Sequence, residues 1–148
     1  MKKISILVAT LTLAGASAAA QAENVAMSFL TADGVGKSAG TISLKQTKAG
    51  LQLTPNLTGL PPGEHGFHVH EKGSCDPGMV NGQMAPGGAA GGHLDPHGTK
   101  AHKGPEATDG HTGDLPFIVV AANGTAKQAV VAPHLKLCLL YTSDAADE

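Results

Sequence analysis

Histidine is concentrated in one part of this 148-residue chain: seven of its eight histidines lie between Glu64 and Asp114. Imidazole is the commonest protein ligand for zinc and copper, because its neutral ring nitrogen binds a borderline metal without a thiolate. The concentration predicts a metal centre and places the chemistry of the protein in this segment.

Two of these histidines are separated by one residue, in the segment Phe67 to His70. In a β-strand, residues two apart point to the same face about 7 Å apart, so His68 and His70 can reach one metal ion. On a helix the two side chains would diverge by about 200°. The alternative is a pair of solvent-facing histidines on an exposed strand.

Farther along, His93, His102, His111 and Asp114 offer three nitrogens and one carboxylate oxygen. This set satisfies a closed tetrahedral zinc site. The segment from Glu71 to Asp114 has eleven glycines, four prolines and no strand or helix pattern. Such composition is also typical of disorder, but a bound metal would supply the energy that orders the loop.

The rest of the chain has the pattern of short strands joined by turns. Apolar and polar residues alternate at Val25 to Phe29, Ile42 to Leu44 and Leu51 to Leu53, which predicts strands with one buried face. Asn123-Gly124, between two apolar runs, predicts a hairpin. The length fits one domain with a single core.

The net charge is −2 and arginine is absent, which argues against a nucleic-acid partner. At the N-terminus, Lys2 and Lys3 precede the apolar run Ile4 to Leu13 and small residues up to Ala22. This pattern predicts a secretory signal peptide over residues 1–22, cleaved after Ala22. The apolar run is too short to span a membrane, so we expect an exported protein without a membrane anchor.

The histidine-containing segments resemble those of the bacterial, exported copper/zinc superoxide dismutases. The similar segments are GEHGFHVHEKGSC, GGHLDP, GPE and GDLP, in that family's order. The resemblance implies an all-β fold, a Greek-key β-sandwich or flattened barrel of eight strands. It also implies one copper ion, one zinc ion and a periplasmic location.

The resemblance also implies roles for individual residues. The implied copper ligands are His68, His70 and His93, and the implied zinc ligands are His93, His102, His111 and Asp114. His65 is expected to support the ligands from outside the site, whereas His97 and His134 match no ligand position. Cys75 matches the first half of the family's intrachain disulfide.

The implied reaction is the disproportionation of superoxide to oxygen and hydrogen peroxide in two steps at copper. The three copper ligands are then the catalytic residues, and zinc is a structural ion. In the family the bridging imidazolate, here His93, parts from copper on reduction and takes up a proton. Lys72, Lys100 and Lys103 are candidates for attracting the superoxide anion. The resemblance leaves open whether the protein is a monomer or a homodimer.

The C-terminal part departs from the family after Leu137. No histidine or arginine follows His134, so the family's fourth copper ligand and the arginine that guides superoxide are absent. We expect a domain over residues 23–137 without its last strand and C-terminal loop, and a non-native tail over 138–148. Cys75 would then lack its native disulfide partner. A non-catalytic periplasmic zinc- and copper-binding protein, or an inactive fragment of the enzyme, is therefore an alternative.

Overall fold

The computed structural model describes residues 22–138. Three long strands form successive antiparallel hairpins: β1 (Glu23–Thr31), β2 (Gly34–Thr47) and β3 (Gly50–Leu57). Val25 of β1 pairs with Ile42 of β2, and Leu44 of β2 pairs with Leu53 of β3. The strands predicted from the alternation of apolar and polar residues are therefore confirmed at these positions.

Five shorter strands follow in the described part of the chain. They are β4 (Gly63–His65), β5 (Gly78–Val80), β6 (Gln83–Ala85), β7 (Ile118–Val120) and β8 (Val130–Ala132). β8 returns to pair with β3, which gives the sheet order β1-β2-β3-β8, and β4 pairs with β7 in a second sheet. This is the predicted all-β Greek-key β-sandwich, and its sheets are not closed into a barrel within residues 22–138.

Apolar side chains from both sheets form one core. Leu51 and Leu53 of β3 and Ile118 and Val120 of β7 are each at most 7% exposed and belong to one cluster. Burying one such side chain contributes about 1.5 to 3 kcal/mol to folding. The core thus holds the two sheets together, and the predicted ligands lie on the long connection between β4 and β7 of the second sheet.

β3 and β8 approach each other too closely for a side chain at Gly50. This residue has a φ of 126°, and a Cβ atom there would lie 2.3 Å from the carbonyl oxygen of Ala132. Only glycine adopts such a φ without strain. The residue that ends the β2–β3 turn therefore also permits the pairing of β8.

Asn123 and Gly124 form a turn, but the predicted hairpin is wrong. The amide of Ala121 donates to the carbonyl oxygen of Thr125 at 2.8 Å. The flanking strands then separate, because β7 pairs with β4 and β8 pairs with β3. The two apolar runs bury their faces in different sheets of the sandwich, so they do not pair with each other.

The long loop contains regular structure that the sequence did not predict. β5 and β6 form a hairpin whose turn residues, Asn81 and Gly82, have φ values of 51° and 83°. Positive φ at both positions is the requirement of a type I′ turn. A 3₁₀ turn follows at Gly88–Ala90. The Asn-Gly dipeptide was the available signal, but strands of three residues are too short to show a period.

The predicted signal peptide, except Ala22, and the predicted tail, except Cys138, lie outside the described residues. Cys75 and Cys138 are both exposed and form no disulfide with each other. Between residues 22 and 138, no helix has the length and apolar character needed to cross a bilayer.

Candidate metal centre

Backbone hydrogen bonds align the predicted ligands around Val69. Its amide donates to the carbonyl oxygen of Gly113 at 2.9 Å, and its carbonyl oxygen accepts from the amide of Leu94 at 2.8 Å. Gly113 in turn donates to Leu94 at 2.9 Å. The resulting β-bridges pair His68 with Asp114 and His70 with His93. The extended conformation predicted for the H-x-H segment is therefore formed, held by isolated bridges.

Four predicted ligands converge on one point. Asp114 Oδ1 lies 2.9 Å from His93 Nδ1, 2.9 Å from His102 Nδ1 and 3.5 Å from His111 Nδ1. The Nδ1 atoms of His93 and His102 are 3.3 Å apart. Ligand atoms on a tetrahedral zinc ion with bonds of about 2.0 Å lie about 3.3 Å apart. The four measured distances, 2.9 to 3.5 Å, are close to this value, and all the ligand atoms of these side chains, called the His3Asp cluster below, lie within 4.8 Å of one another.

The second oxygen of Asp114 is held by the backbone. Oδ2 accepts hydrogen bonds from the amides of Lys103 and Gly104, each at 3.1 Å. Burial of this 2% exposed residue would by itself raise the pKa of its carboxyl. The hydrogen bonds from His93 and the two amides, with the nearby His102, outweigh that effect and lower the pKa. Asp114 is therefore an anion whose Oδ1 is aimed at the three imidazoles.

His111 points a buried nitrogen at the same place. Its Nδ1 is buried and has no hydrogen-bond partner among the described residues. Leaving such a buried polar atom unsatisfied costs about 1 to 3 kcal/mol. A cation at the centre of the His3Asp cluster would satisfy this nitrogen, so the residues fit a metal ion.

The loop that presents His102 is organised by Asp95, which the sequence reasoning missed. Its carboxylate accepts from the Thr99 hydroxyl at 3.0 Å and from the Lys100 amide at 2.8 Å. The amide hydrogen bond is the main cause of a lowered Asp95 pKa. Asp followed by Pro is a turn signal, so Asp95-Pro96 could have identified this role.

Three imidazoles form a second group that shares His93. The ring centroids of His68 and His93 are 4.0 Å apart, those of His70 and His93 5.8 Å, and those of His68 and His70 6.4 Å. His70 Nδ1 donates to the carbonyl oxygen of Gly91 at 3.1 Å, which leaves Nε2 free to bind a metal. Burial, followed by the neighbouring imidazoles, lowers the pKa of His68 and so favours its neutral, ligating form.

Glu71 holds the backbone that precedes His93, and it also was not predicted. The Glu71 amide donates to the carbonyl oxygen of Gly92 at 3.0 Å, and its carboxylate accepts from the Gly92 amide at 3.3 Å. A Cβ atom at Gly91 would lie 2.9 Å from that carboxylate. Glu71 therefore fixes the segment that carries both the acceptor for His70 and the shared ligand.

The other histidines lie outside both groups. His65 donates from Nε2 to the carbonyl oxygen of Pro61 at 2.7 Å, which fits the predicted structural role. His134 donates from Nε2 to the carbonyl oxygen of Glu106 at 3.3 Å. His97 and His134 line the same surface cavity, which contains none of the predicted ligands.

Of the three lysines predicted to attract superoxide, Lys103 lines a cavity of about 540 Å³ that also exposes His68 and His102. Its ammonium group forms an ion pair with Asp109. Much of its charge is therefore compensated. The Lys72 amide donates to Ala90 at 3.1 Å, and Lys100 has a φ of 53° in the turn organised by Asp95.

A protein-family model described as copper/zinc superoxide dismutase (SODC) matches residues 38–145. The match includes all the residues of the two metal-binding groups. It also extends past residue 137, the predicted end of the domain.

Individual relatives agree with this match. Superoxide dismutase [Cu-Zn] 2 of Salmonella typhimurium is 52% identical over 136 residues, which are 92% of this chain and 78% of that protein. The structure of the Cu/Zn superoxide dismutase from Brucella abortus is 46% identical, with a TM-score of 0.77 over 80% of this chain and 77% of that one. The solution structure of the monomeric enzyme from Salmonella enterica is 51% identical, with a TM-score of 0.70 over 81% and 77%.

Proposed function

This chain belongs to the copper/zinc superoxide dismutase family, and we propose that it disproportionates superoxide at a copper ion held next to a zinc ion. One observation carries the proposal: His93 belongs to both groups of ligands, with Nδ1 at 2.9 Å from Asp114 and its ring 4.0 Å from that of His68. A shared imidazole couples two metal ions through one side chain.

We propose that the His3Asp cluster holds zinc. The spacing of its donor atoms and the unpaired Nδ1 of His111 support this assignment. Three neutral imidazoles and one carboxylate are also the donor types that zinc prefers. Four protein ligands close the coordination sphere, so the role of this ion is structural.

Copper is assigned to His68, His70 and His93. Imidazole nitrogens suit copper, and the hydrogen bond from His70 to Gly91 fixes which nitrogen of that ring remains free. Burial and the neighbouring imidazoles lower the pKa of His68, which favours the neutral, ligating form of its ring. These three histidines are the catalytic residues of the proposal.

Bound copper supplies one-electron redox chemistry, and the chain supplies access, orientation and a proton site. The cavity beside His68 and His102 gives a small anion a path to the ligands. Asp114 fixes the orientation of His93 through Nδ1, which leaves Nε2 as the nitrogen available to copper. That nitrogen is the atom at which His93 would hold a proton.

The test is the rate of superoxide decay with the purified full chain loaded with one copper and one zinc. We expect catalysis well above that of the metal-free protein. His93→Ala should abolish it, whereas His97→Ala, a matched histidine outside both groups, should leave it unchanged. If the fully metallated chain is no faster than the metal-free chain, the protein is a non-catalytic metal binder and the proposal is wrong.

Export to the periplasm, the domain boundaries and the oligomeric state also belong to this proposal. The charged and apolar N-terminal pattern supports cleavage after Ala22, which gives a mature domain over residues 23–137. The similarity to a protein described as monomeric supports a monomer. Intact mass and N-terminal sequencing of the protein from the periplasmic fraction test the cleavage site. Light scattering tests the oligomeric state in solution. Limited proteolysis tests whether the folded domain ends at residue 137.

A further inference from the structure

Two exposed methionines face each other on the β5–β6 hairpin, outside the metal centre described above. Met79 and Met84 are directly opposite in the strand register. Their exposed fractions are 63% and 65%. Directly opposite residues have Cβ atoms about 4.5 to 5.5 Å apart and side chains on the same face. The two thioether sulfurs can therefore approach each other above this face.

The hairpin is held firmly at both ends. The type I′ turn at Asn81 and Gly82 closes one end. At the other end, a Cβ atom at Gly78 would lie 2.4 Å from the backbone nitrogen of Ala89, and the Ala89 amide donates to the carbonyl oxygen of Asp76 at 3.2 Å. The backbone thus fixes the relative position of the two methionines before any ligand arrives.

We propose that Met79 and Met84 form a surface site for monovalent copper. Thioethers are soft, neutral ligands that select Cu(I) over zinc and over the hard cations. Methionine has three rotatable side-chain bonds, so both sulfurs can adjust to one ion. Because thioethers are neutral, they bind Cu(I) without the negative charge of a thiolate, so the bound ion can be released again. The site captures Cu(I) at the surface of the protein.

This site is independent of the dismutase proposal, because it shares no residue with either histidine group. The hairpin continues in sequence through the 3₁₀ turn at Gly88–Ala90 to Gly91, whose carbonyl oxygen accepts from His70.

The test uses Ag(I), a redox-inert substitute for Cu(I), and the full chain labelled with ¹³C at the methionine methyl groups. The cysteines are alkylated, and the histidine sites are first filled with zinc and Cu(II), so that neither competes for Ag(I). We expect the Met79 and Met84 methyl signals to shift together and saturate at one equivalent. The Met27 signal should not move, because this residue packs against the core.

Conservative variants provide the second measurement. M79L and M84L should each weaken Ag(I) binding at least tenfold without changing the circular dichroism spectrum, and M27L should leave the affinity unchanged. Absence of any shift at several equivalents of Ag(I), or an equal shift of Met27, would overturn the proposal. So would a shift that depends on protein concentration without Ag(I), because the face would then be a contact between proteins.

Discussion

Gly113 is the position where a single methyl group should disrupt both the fold and the proposed zinc site. A Cβ atom there would lie 2.4 Å from the carbonyl oxygen of Val69, 2.8 Å from the amide nitrogen of Leu94 and 2.9 Å from its Cβ. All three atoms are backbone or directly attached to it, so no flexible side chain can move aside. Gly113→Ala must therefore separate the backbone segments that align His68 with Asp114.

The expected loss of stability follows from these contacts. Overpacking of this kind costs about 1 to 3 kcal/mol, and each weakened backbone hydrogen bond costs about 0.5 to 1.5 kcal/mol. Gly113 makes two backbone hydrogen bonds, one with Val69 and one with Leu94. If both are weakened, the free energy of unfolding should fall by about 2 to 6 kcal/mol. Domains are typically stable by about 5 to 15 kcal/mol, so the variant should be partly unfolded or easily denatured.

Gly92→Ala is the matched control, because each glycine immediately precedes a ligand of the His3Asp cluster. At Gly92 the nearest atoms to an added Cβ are those of the Glu71 carboxylate, at 3.6 to 3.9 Å, which is ordinary contact. We expect a change within about 1 kcal/mol, since alanine there only restricts the unfolded chain. Urea unfolding measures stability, and competition with a chromogenic chelator measures zinc affinity. Equal stability and equal zinc affinity of the two variants would refute the close approach at Gly113.

Three further changes test separate parts of the centre. Asp114→Asn removes the anionic ligand, so competition with a chelator should show zinc affinity lower by more than about 100-fold, and a smaller loss would contradict its role as a ligand. Glu71→Ala releases the Gly92 amide, so copper affinity should fall by about tenfold with little change in zinc affinity, as measured by metal titration. The metal-free protein should lose stability as the pH falls. Because the pKa of His68 is lowered in the folded state, the unfolded state binds more protons below about pH 6.5, and stability falls. The lowered pKa of Asp114 produces a second loss of stability below about pH 4. Urea unfolding in the presence of a chelator, at several pH values, measures both losses of stability. His68→Gln should reduce the loss near pH 6.5, and an unchanged pH profile in that variant would contradict the assignment of this loss to His68.

The grouping of side chains at the centre was more predictable from sequence than the pairing of strands. Residue types and spacing predicted four side chains that the structure brings together, because few residue types bind zinc, and their roles as ligands stay a prediction. The hairpins of β1, β2 and β3 were predictable because each strand is long enough to show a period of two. β4, β7 and β8 have three residues each, so their partners depend on which sheet buries each run.

The roles of Glu71 and Gly113 could not be predicted because they depend on contacts between segments far apart in sequence. Gly113 looks like one of many loop glycines until Val69 and Leu94 are placed on either side of it. Asp95 is different, because its partners are four and five residues away. Local turn chemistry was therefore sufficient to predict the role of Asp95.

The long loop was expected to depend on a metal for its order, but the backbone supplies part of that order by itself. Val69, which precedes the loop, is hydrogen-bonded to its middle at Leu94 and to its C-terminal end at Gly113, and two amides hold Oδ2 of Asp114. Among the buried side-chain atoms of residues 22–138, Nδ1 of His111 has no hydrogen-bond partner, and it faces the anionic oxygen of Asp114. A metal ion therefore completes an arrangement that the backbone has already imposed. Binding of the ion would then fix His93, the one side chain on which both proposed metal sites depend.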